Sequence, residues 1–450
     1  MRACAQGVAD YLKQAGLAQR GLIIGYDTRF ASEDFASAAA EVVAGNGIKV
    51  YLCPEAIPTP VISFGVVAQK AGGAIIITAS HNTAAWNGVK YKTDDGASAP
   101  TEVIAKLEKN IAYTLATGKI GRIPLAEAID QRQVEYLDLA PIYFDRLAGL
   151  VDLDGIRRGK LKIVVDSMYG VGAGYFKALL GGGNIKLTEI NKERNPLFPG
   201  IQPEPIAANL AKLSAAVKRQ RADVGLATDG DADRIGIVDE NGVFLTPLQV
   251  FALLALYMLE VRGERGAIVK TITTTSMLYR LGEIFKVPVY ETPVGFKYVA
   301  PIMLAENALI GGEESGGYGF RGHIPERDGI LAGLYFLDLM VKTGKTPSQL
   351  IDYLYSKVGR HHFQRIDVRY PEEECQAINN RLEQNPPDSI DGVKVAKFET
   401  TDGFRFILAD NTWLLIRFSG TEPVLRIYAE SDSPARVERL LELGKKLAGV

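Results

Sequence analysis

Val224-Gly-Leu-Ala-Thr-Asp-Gly-Asp-Ala-Asp-Arg-Ile-Gly-Ile-Val238 sets two apolar, strand-like runs around three aspartates that recur at every second residue. In an extended backbone, side chains at i, i+2 and i+4 share one face, so Asp229, Asp231 and Asp233 would crowd together. Adjacent carboxylates repel one another unless positive charge sits among them. A hard divalent cation with oxygen ligands, Mg²⁺, is the simplest occupant, and a solvated acidic turn is the alternative. An EF-hand is excluded, because Arg234 replaces the required glycine and Ile235-Gly-Ile-Val238 reads as a strand.

On either side of this segment the chain repeats one rhythm. Gly21-Leu-Ile-Ile-Gly25 is followed by a helical pattern from Asp34 to Asn46, then by Ile48-Lys-Val-Tyr-Leu52 and Ala74-Ile-Ile-Ile-Thr78. The pattern restarts at Lys160-Leu-Lys-Ile-Val-Val-Asp166 and at Gly266-Ala-Ile-Val-Lys-Thr271. Such alternation predicts βαβ units, largely parallel sheets and several α/β domains in series. The glycines of Gly170-Val-Gly-Ala-Gly174 do not complete a dinucleotide fingerprint, since Tyr175 and Lys177 stand where its third glycine would fall. After His361 the chain becomes strand-rich, with Thr412-Trp-Leu-Leu-Ile-Arg417 as a strand and a final helix from Pro434 to Leu447, which predicts a separate α+β domain. His361-His362 has no cluster of partners at metal spacing and reads as a boundary feature.

The bulk properties agree with a multidomain globular protein. At 450 residues the chain exceeds what one core organises. A hydrophobic content of 47% with 23% charged residues is ordinary, and a net charge of −2 provides no general attraction to nucleic acid or anionic membrane. Anionic ligands must be caught by local clusters. Three scattered cysteines fit a reducing compartment, no signal-like apolar stretch opens the sequence, and the run from Val250 to Leu259 is too short to span a bilayer. The expectation is a cytoplasmic protein, monomer or homodimer, with small-molecule partners.

Several motifs carry chemistry. In Gly73-Ala-Ile-Ile-Ile-Thr-Ala-Ser-His-Asn82, Ser80 lies just past a buried strand, where ligands of α/β sheets bind, and can act as nucleophile or phosphate carrier. His81 is a candidate base, although neighbours on an extended chain point in opposite directions. Lys90 is a candidate for polarising phosphoryl oxygens or for proton transfer. Glu313 and Ser315 occupy a Gly-flanked loop suited to sugar hydroxyls, with Glu314 free to face the scaffold. Glu326, Arg327 and Asp328, within His323 to Gly329, either reach the same cleft as that loop or form a local ion-paired helix start, the second reading being preferred. Arg417, Ser419, Gly420, Thr421 and Arg426 supply guanidinium forks and hydroxyls, the ingredients of a phosphate pocket. Arg234 either pairs with phosphate or braces the acidic loop.

Thr78-Ala-Ser-His-Asn82 with Asn87-Gly-Val-Lys90, the Asp229 to Arg234 loop, Gly311-Gly-Glu-Glu-Ser-Gly-Gly317 and Arg417-Phe-Ser-Gly-Thr-Glu-Pro423 with Arg426 resemble, in order and spacing, the α-D-phosphohexomutases. The resemblance implies three related α/β domains with mixed sheets and a smaller C-terminal α+β domain around a central cleft, with expected bounds 1–146, 147–245, 246–360 and 361–450. It implies that Ser80 is a phosphoserine sharing Mg²⁺ with Asp229, Asp231 and Asp233. It gives Glu313 and Ser315 the sugar, the Arg417 to Arg426 group the phosphate that is not transferred, and Lys297, in Thr292-Pro-Val-Gly-Phe-Lys297, general acid/base work. The implied reaction interconverts hexose 1- and 6-phosphates, glucose first, through a hexose 1,6-bisphosphate. A phosphomannomutase or dual-specificity enzyme, and a Mg²⁺-dependent phosphatase, are the alternatives. Two departures stand out: the sequence starts without the family's opening strand and arginine loop, and Thr83 replaces a proline. The first raises the alternative of an impaired sugar-phosphate-binding protein. The second is expected to loosen the serine loop.

Overall fold

The computed structural model describes residues 1–384, 386–419 and 424–450, and four units follow one another along the chain. The first three share a plan. In the first, Leu22–Tyr26 runs parallel between Val50–Leu52 and Ala74–Ile77, and Val89–Lys92 turns back antiparallel outside Ala74–Ile77. In the second, Lys162–Asp166 lies between Lys186–Ile190 and Val224–Thr228, with Ile235–Val238 antiparallel outside. In the third, Ile268–Thr271 lies between Val289–Thr292 and Ile310–Gly312, with Tyr318–Phe320 antiparallel outside. Val134–Tyr136 and Phe244–Leu245 extend the first two sheets at opposite edges. The sheets are therefore mixed, each with a parallel core and an antiparallel flank.

Period-two alternation splits the core strands between two layers of helices. Ile23, Ala74 and Ile76 pack with Val61, Ile62 and Val66 of the helix Thr59–Gln69. Leu22, Ile24, Ile75 and Ile77 pack on the other side with Ala36, Ala39 and Ala40 of Ser32–Gly45. The first of these clusters continues through Phe176 to Phe251 and Leu331, so the three α/β units share one core. At its centre lies Gly329–Thr343, which is buried from Gly329 to Met340. The apolar run near Val250 forms the buried helix Pro247–Leu256, started by a capping box between Thr246 and Gln249. No helix among the described residues is long and apolar enough to cross a membrane.

The fourth unit is an antiparallel sheet in the order His362–Arg369, Val424–Ser431, Trp413–Phe418, Phe404–Leu408, Val393–Glu399, Ser389–Ile390. Leu414, Ile416, Leu425 and Ile427 face the helices Cys375–Gln384 and Pro434–Ala448. The alternate residues Trp413, Leu415 and Tyr428 turn toward the third unit and meet Ile272. At the boundary, His361 does have a carboxylate: its Nδ1 lies 2.5 Å from Glu430, which also accepts from Thr275 Oγ1 at 2.9 Å. That partner is 69 residues away, beyond the reach of any spacing rule.

Candidate active site

Each of the three α/β units sends one hairpin turn, between its third and fourth strands, to the same region. The first turn carries Ser80 at φ +50°, the left-handed region that a non-glycine residue enters at a cost of about 1–3 kcal/mol. Its hydroxyl donates to Asp229 Oδ2 at 2.9 Å, and its N–H donates to Thr78 Oγ1 at 2.9 Å. The turn is held from below by Arg29, which the sequence reading missed. The Arg29 guanidinium donates to the carbonyls of Ser80 at 2.7 Å, Asn82 at 2.5 Å, Thr83 at 2.8 Å and Trp86 at 2.9 Å, and pairs with Asp27 at 3.1 Å. The Thr83 acceptor is its backbone carbonyl, a contact independent of the side chain at that position. The available signal was Asp27-Thr-Arg29 directly after a buried strand, the same position in the fold from which Ser80 was recognised.

The second turn brings Asp229, Asp231 and Asp233 together, all essentially buried, with oxygens within 4.8 Å of one another. They converge through a tight turn, not an extended strand. Ala232 has φ +60° and its N–H donates to the Asp229 carbonyl, because the loop must reverse the chain between antiparallel neighbours. At Gly230 a Cβ would stand 2.4 Å from the Ser80 carbonyl, so only glycine lets the two turns touch. Lys90 Nζ lies 2.6 Å from Asp231 and 3.4 Å from Asp233, and Arg327 lies 2.6 Å from Asp233. Burial opposes ionisation of Asp231, but Lys90 outweighs it and holds that carboxyl well below the usual range. Burial and the neighbouring aspartates push Asp229 upward. Asp231 Oδ1 and Asp233 Oδ1 are buried with no hydrogen-bond partner among the described residues. Orphaned carboxylate oxygens clustered beside a hydroxyl fit a hard cation such as Mg²⁺.

Arg234 braces the acidic loop on its outer side: it pairs with Glu204 at 3.1 Å and approaches Asp233 at 3.8 Å. His81 Nδ1 has no hydrogen-bond partner among the described residues, its Nε2 lies 4.0 Å from Glu204, and the Ser80 hydroxyl bonds Asp229 instead. Burial, reinforced by Arg234, lowers the imidazole to about 3, so it is neutral near pH 7. In the third turn, Glu313 accepts from Arg327 at 3.0 Å, and Ser315 Oγ is buried without a partner among the described residues. Glu314 accepts from Thr273 at 2.6 Å. Arg327 thus clasps the acidic turn to the 313–317 turn, and Glu326 pairs with Lys92 of the first unit. The local ion-paired helix start is corrected accordingly. Only Asp328 serves the helix, accepting from Leu331 N at 2.8 Å. Lys297 is exposed at the head of Phe296–Ala305, 5.0 Å from the Tyr298 ring centroid, and no hydrogen bond or ion pair joins it to Ser80 or the aspartates.

The fourth unit contributes a guanidinium face. Arg417 and Arg426 stand directly opposite each other on adjacent strands. Asp402 accepts from Arg417 Nε at 2.9 Å and, through its other oxygen, from Val294 N of the third unit at 2.8 Å. Ser419 N donates to the Val424 carbonyl at 2.8 Å, while Gly420 and Thr421 lie outside the described residues.

A hydroxyl in a strained turn, bonded to a buried carboxylate cluster that Lys90 and Arg327 attend, defines a phosphoryl-transfer enzyme. The comparisons take the assignment further. The phosphoglucomutase/phosphomannomutase family models match throughout: α/β/α domain I over residues 1–116, domain II over 141–242, domain III over 246–358 and the C-terminal domain over 367–443. A phosphoglucomutase/phosphomannomutase of Thermococcus kodakarensis is 33% identical over 97% of this chain and 91% of its own length. A probable phosphoglucosamine mutase of Methanobrevibacter smithii is 30% identical over 98% and 92%. A crystal structure from Thermus thermophilus, provisionally named phosphomannomutase, superposes with a TM-score of 0.86 at 34% identity, covering 100% of this chain and 94% of that one. The chain belongs to the phosphoglucomutase/phosphomannomutase family, the α-D-phosphohexomutases, and is an enzyme of that kind, an intramolecular phosphotransferase.

Proposed function

We propose that the enzyme interconverts glucose 1-phosphate and glucose 6-phosphate through phosphorylated Ser80 and a glucose 1,6-bisphosphate, accepting mannose phosphates as well. The observation that carries this reading is the Ser80 hydroxyl 2.9 Å from Asp229 inside a buried carboxylate cluster. Asp229, Asp231, Asp233 and phosphorylated Ser80 would hold Mg²⁺, which when bound supplies the charge that neutralises the transferring phosphoryl oxygens. Lys90, already beside Asp231 and Asp233, adds a second cation.

A hexose hydroxyl forms the new O–P bond as the Ser80 Oγ–P bond breaks. The bisphosphate turns around, and Ser80 Oγ then takes the other phosphate. Glu313 and Ser315 hold sugar hydroxyls, and contacts to hydroxyls that nearly superpose after the turn explain weak discrimination at the 2-position. Arg417, Ser419, Gly420, Thr421 and Arg426 grip the phosphate that is not moving, so a remote contact positions the reacting end. Arg234 and His81 shape the wall behind Ser80. Lys297 is the proposed proton carrier: it lies three residues from Val294, whose N–H meets the aspartate that holds Arg417. Three free cysteines support a reducing, cytoplasmic setting.

The test is the mass of the Ser80 peptide, which should carry one phosphate that is lost on incubation with glucose 6-phosphate. Ser80→Ala should abolish turnover, and undiminished mutase activity in that variant would remove the mechanism. Kinetics with glucose, mannose and glucosamine phosphates decide the substrate.

A further inference from the structure

We propose that Tyr428 and Arg365 are direct ligands of the phosphate held by the fourth unit. The proposal rests on the reading that this unit grips the substrate phosphate, and it adds residues from the sheet itself to the 417–426 segment.

The argument begins with strand register. Arg417 pairs with Arg426, Leu415 with Tyr428, Arg365 with Tyr428, and Asp367 with Arg426. Because alternate residues share a face, one surface of the sheet presents Trp413, Leu415 and Arg417 on one strand, Glu430, Tyr428 and Arg426 on the next, and Phe363, Arg365 and Asp367 on the third. The Trp413 end of this surface is packed against Ile272 of the third unit. At the arginine end, Asp402 joins Arg417 Nε at 2.9 Å to Val294 N of the third unit at 2.8 Å.

Like charges directly opposite on neighbouring strands destabilise a sheet unless an anion lies between them. Two carboxylates are present: Asp402 at 2.9 Å from Arg417, and Asp367 at 2.9 Å from Arg365 and 4.0 Å from Arg426. Arg417 and Arg365 each have a close carboxylate, whereas Arg426 has none nearer than 4.0 Å and its Nε is buried without a hydrogen-bond partner among the described residues. Tyr428 is fully buried, and its hydroxyl also lacks a partner among the described residues. A buried phenol left unpaired is costly, and on its face of the sheet this one stands opposite Arg365 and next to the Arg417–Arg426 pair. Burial, with Glu314 adding to it, raises the phenol to about 12, so it is a proton donor at neutral pH. A donor hydroxyl among guanidinium forks from three strands matches a phosphate monoester dianion, which offers several acceptor oxygens in different directions.

The test uses calorimetric titration of the full enzyme with glucose 6-phosphate and separately with inorganic phosphate. Tyr428→Phe keeps the ring that packs near Phe363 and removes only the hydroxyl. Its affinity for both should fall about tenfold or more, as for loss of a hydrogen bond to a charged group. Arg365→Gln, at a partly exposed side chain that tolerates substitution, should lower affinity by a similar factor and reduce its salt dependence. Arg417→Ala is the reference. If it weakens binding while Tyr428→Phe and Arg365→Gln bind as the parent does, the proposal is wrong and the phosphate grip stands. If Arg417→Ala is also without effect, the grip itself is misassigned.

Discussion

Arg29→Lys tests whether the Ser80 turn is preorganised by one buried guanidinium. The substitution keeps a positive charge for Asp27 but replaces a planar fork by a point charge with three donors. Arg29 makes four carbonyl contacts and one ion pair, so at least two of these five contacts must be lost. The carbonyls of Asn82, Thr83 and Trp86 are partly exposed and can rehydrate, whereas the bond to Ser80 is fully buried. Losing that single charge-assisted bond costs about 1.5–3 kcal/mol. The left-handed backbone at Ser80 stores about 1–3 kcal/mol that relaxation of the turn would release. The stored strain drives the turn to relax once the bond is gone, and the lost bond sets the scale: about 2 kcal/mol makes the competent conformation rarer by a factor of roughly 30. The distal phosphate is gripped elsewhere. The expected outcome is therefore kcat lowered about 10- to 100-fold with KM for glucose 1-phosphate nearly unchanged, measured by steady-state kinetics. Urea unfolding run in parallel should show a cooperative fold. A correctly folded Arg29→Lys enzyme with kcat within about twofold of the parent would refute the reasoning.

Chelation should abolish turnover and Mg²⁺ should restore it. In chelator-treated protein Asp229→Asn should melt no lower than the parent, because it relieves repulsion among three buried carboxylates while still accepting from Ser80. Full turnover in excess chelator would contradict the metal assignment. A separate prediction concerns pH. Glu291 of the third unit meets Arg405 of the fourth at 2.7 Å and Lys270 at 2.7 Å. Burial opposes its ionisation, but Lys270 and then Arg405 prevail and lower it to about 2. A depressed carboxyl contributes stability that is complete above pH 4.5 and is lost as pH falls through 4.5 toward 2, here on the order of 3 kcal/mol. Urea midpoints measured across that window should fall steeply for the parent and less for Glu291→Gln, and equal slopes would exclude this pair as the acid-sensitive contact.

What the sequence disclosed and what it withheld divide along contact range. The strands were legible because short β-branched runs are local: Ala74 to Thr78 reads as a buried strand by itself, and its alternating side chains send Ile76 to one helix layer and Ile75 and Ile77 to the other. The acidic cluster was legible because its three carboxylates lie within five residues, even though the backbone reaches the geometry by a turn instead of an extended strand. Arg29 and Arg327 were not, since the turn groups they hold lie 51 to 57 and 14 to 94 residues away, and their near partners Asp27 and Glu326 do not reveal that role. Nothing in Glu326-Arg327-Asp328 itself distinguishes a helix start from a clasp between domains.

The repeated plan explains why the chemistry gathers where it does. In each α/β unit the third strand is followed by an antiparallel return, so the chain leaves the sheet's C-terminal edge in a short turn instead of a covering helix. That turn is the one place in the repeat where backbone and polar side chains can meet another unit without breaking a helix layer. Three copies packed around one shared core bring three such turns together, carrying a hydroxyl, a carboxylate cluster and a glycine-flanked loop. The turns keep some internal hydrogen bonds, and buried arginines from neighbouring segments add the contacts that join them. Arg29 closes the first, and Arg327 joins the second to the third. The fourth unit lacks the repeat and meets the third through a sheet face, fastened there by Arg405 to Glu291, Val294 N to Asp402 and Thr275 to Glu430.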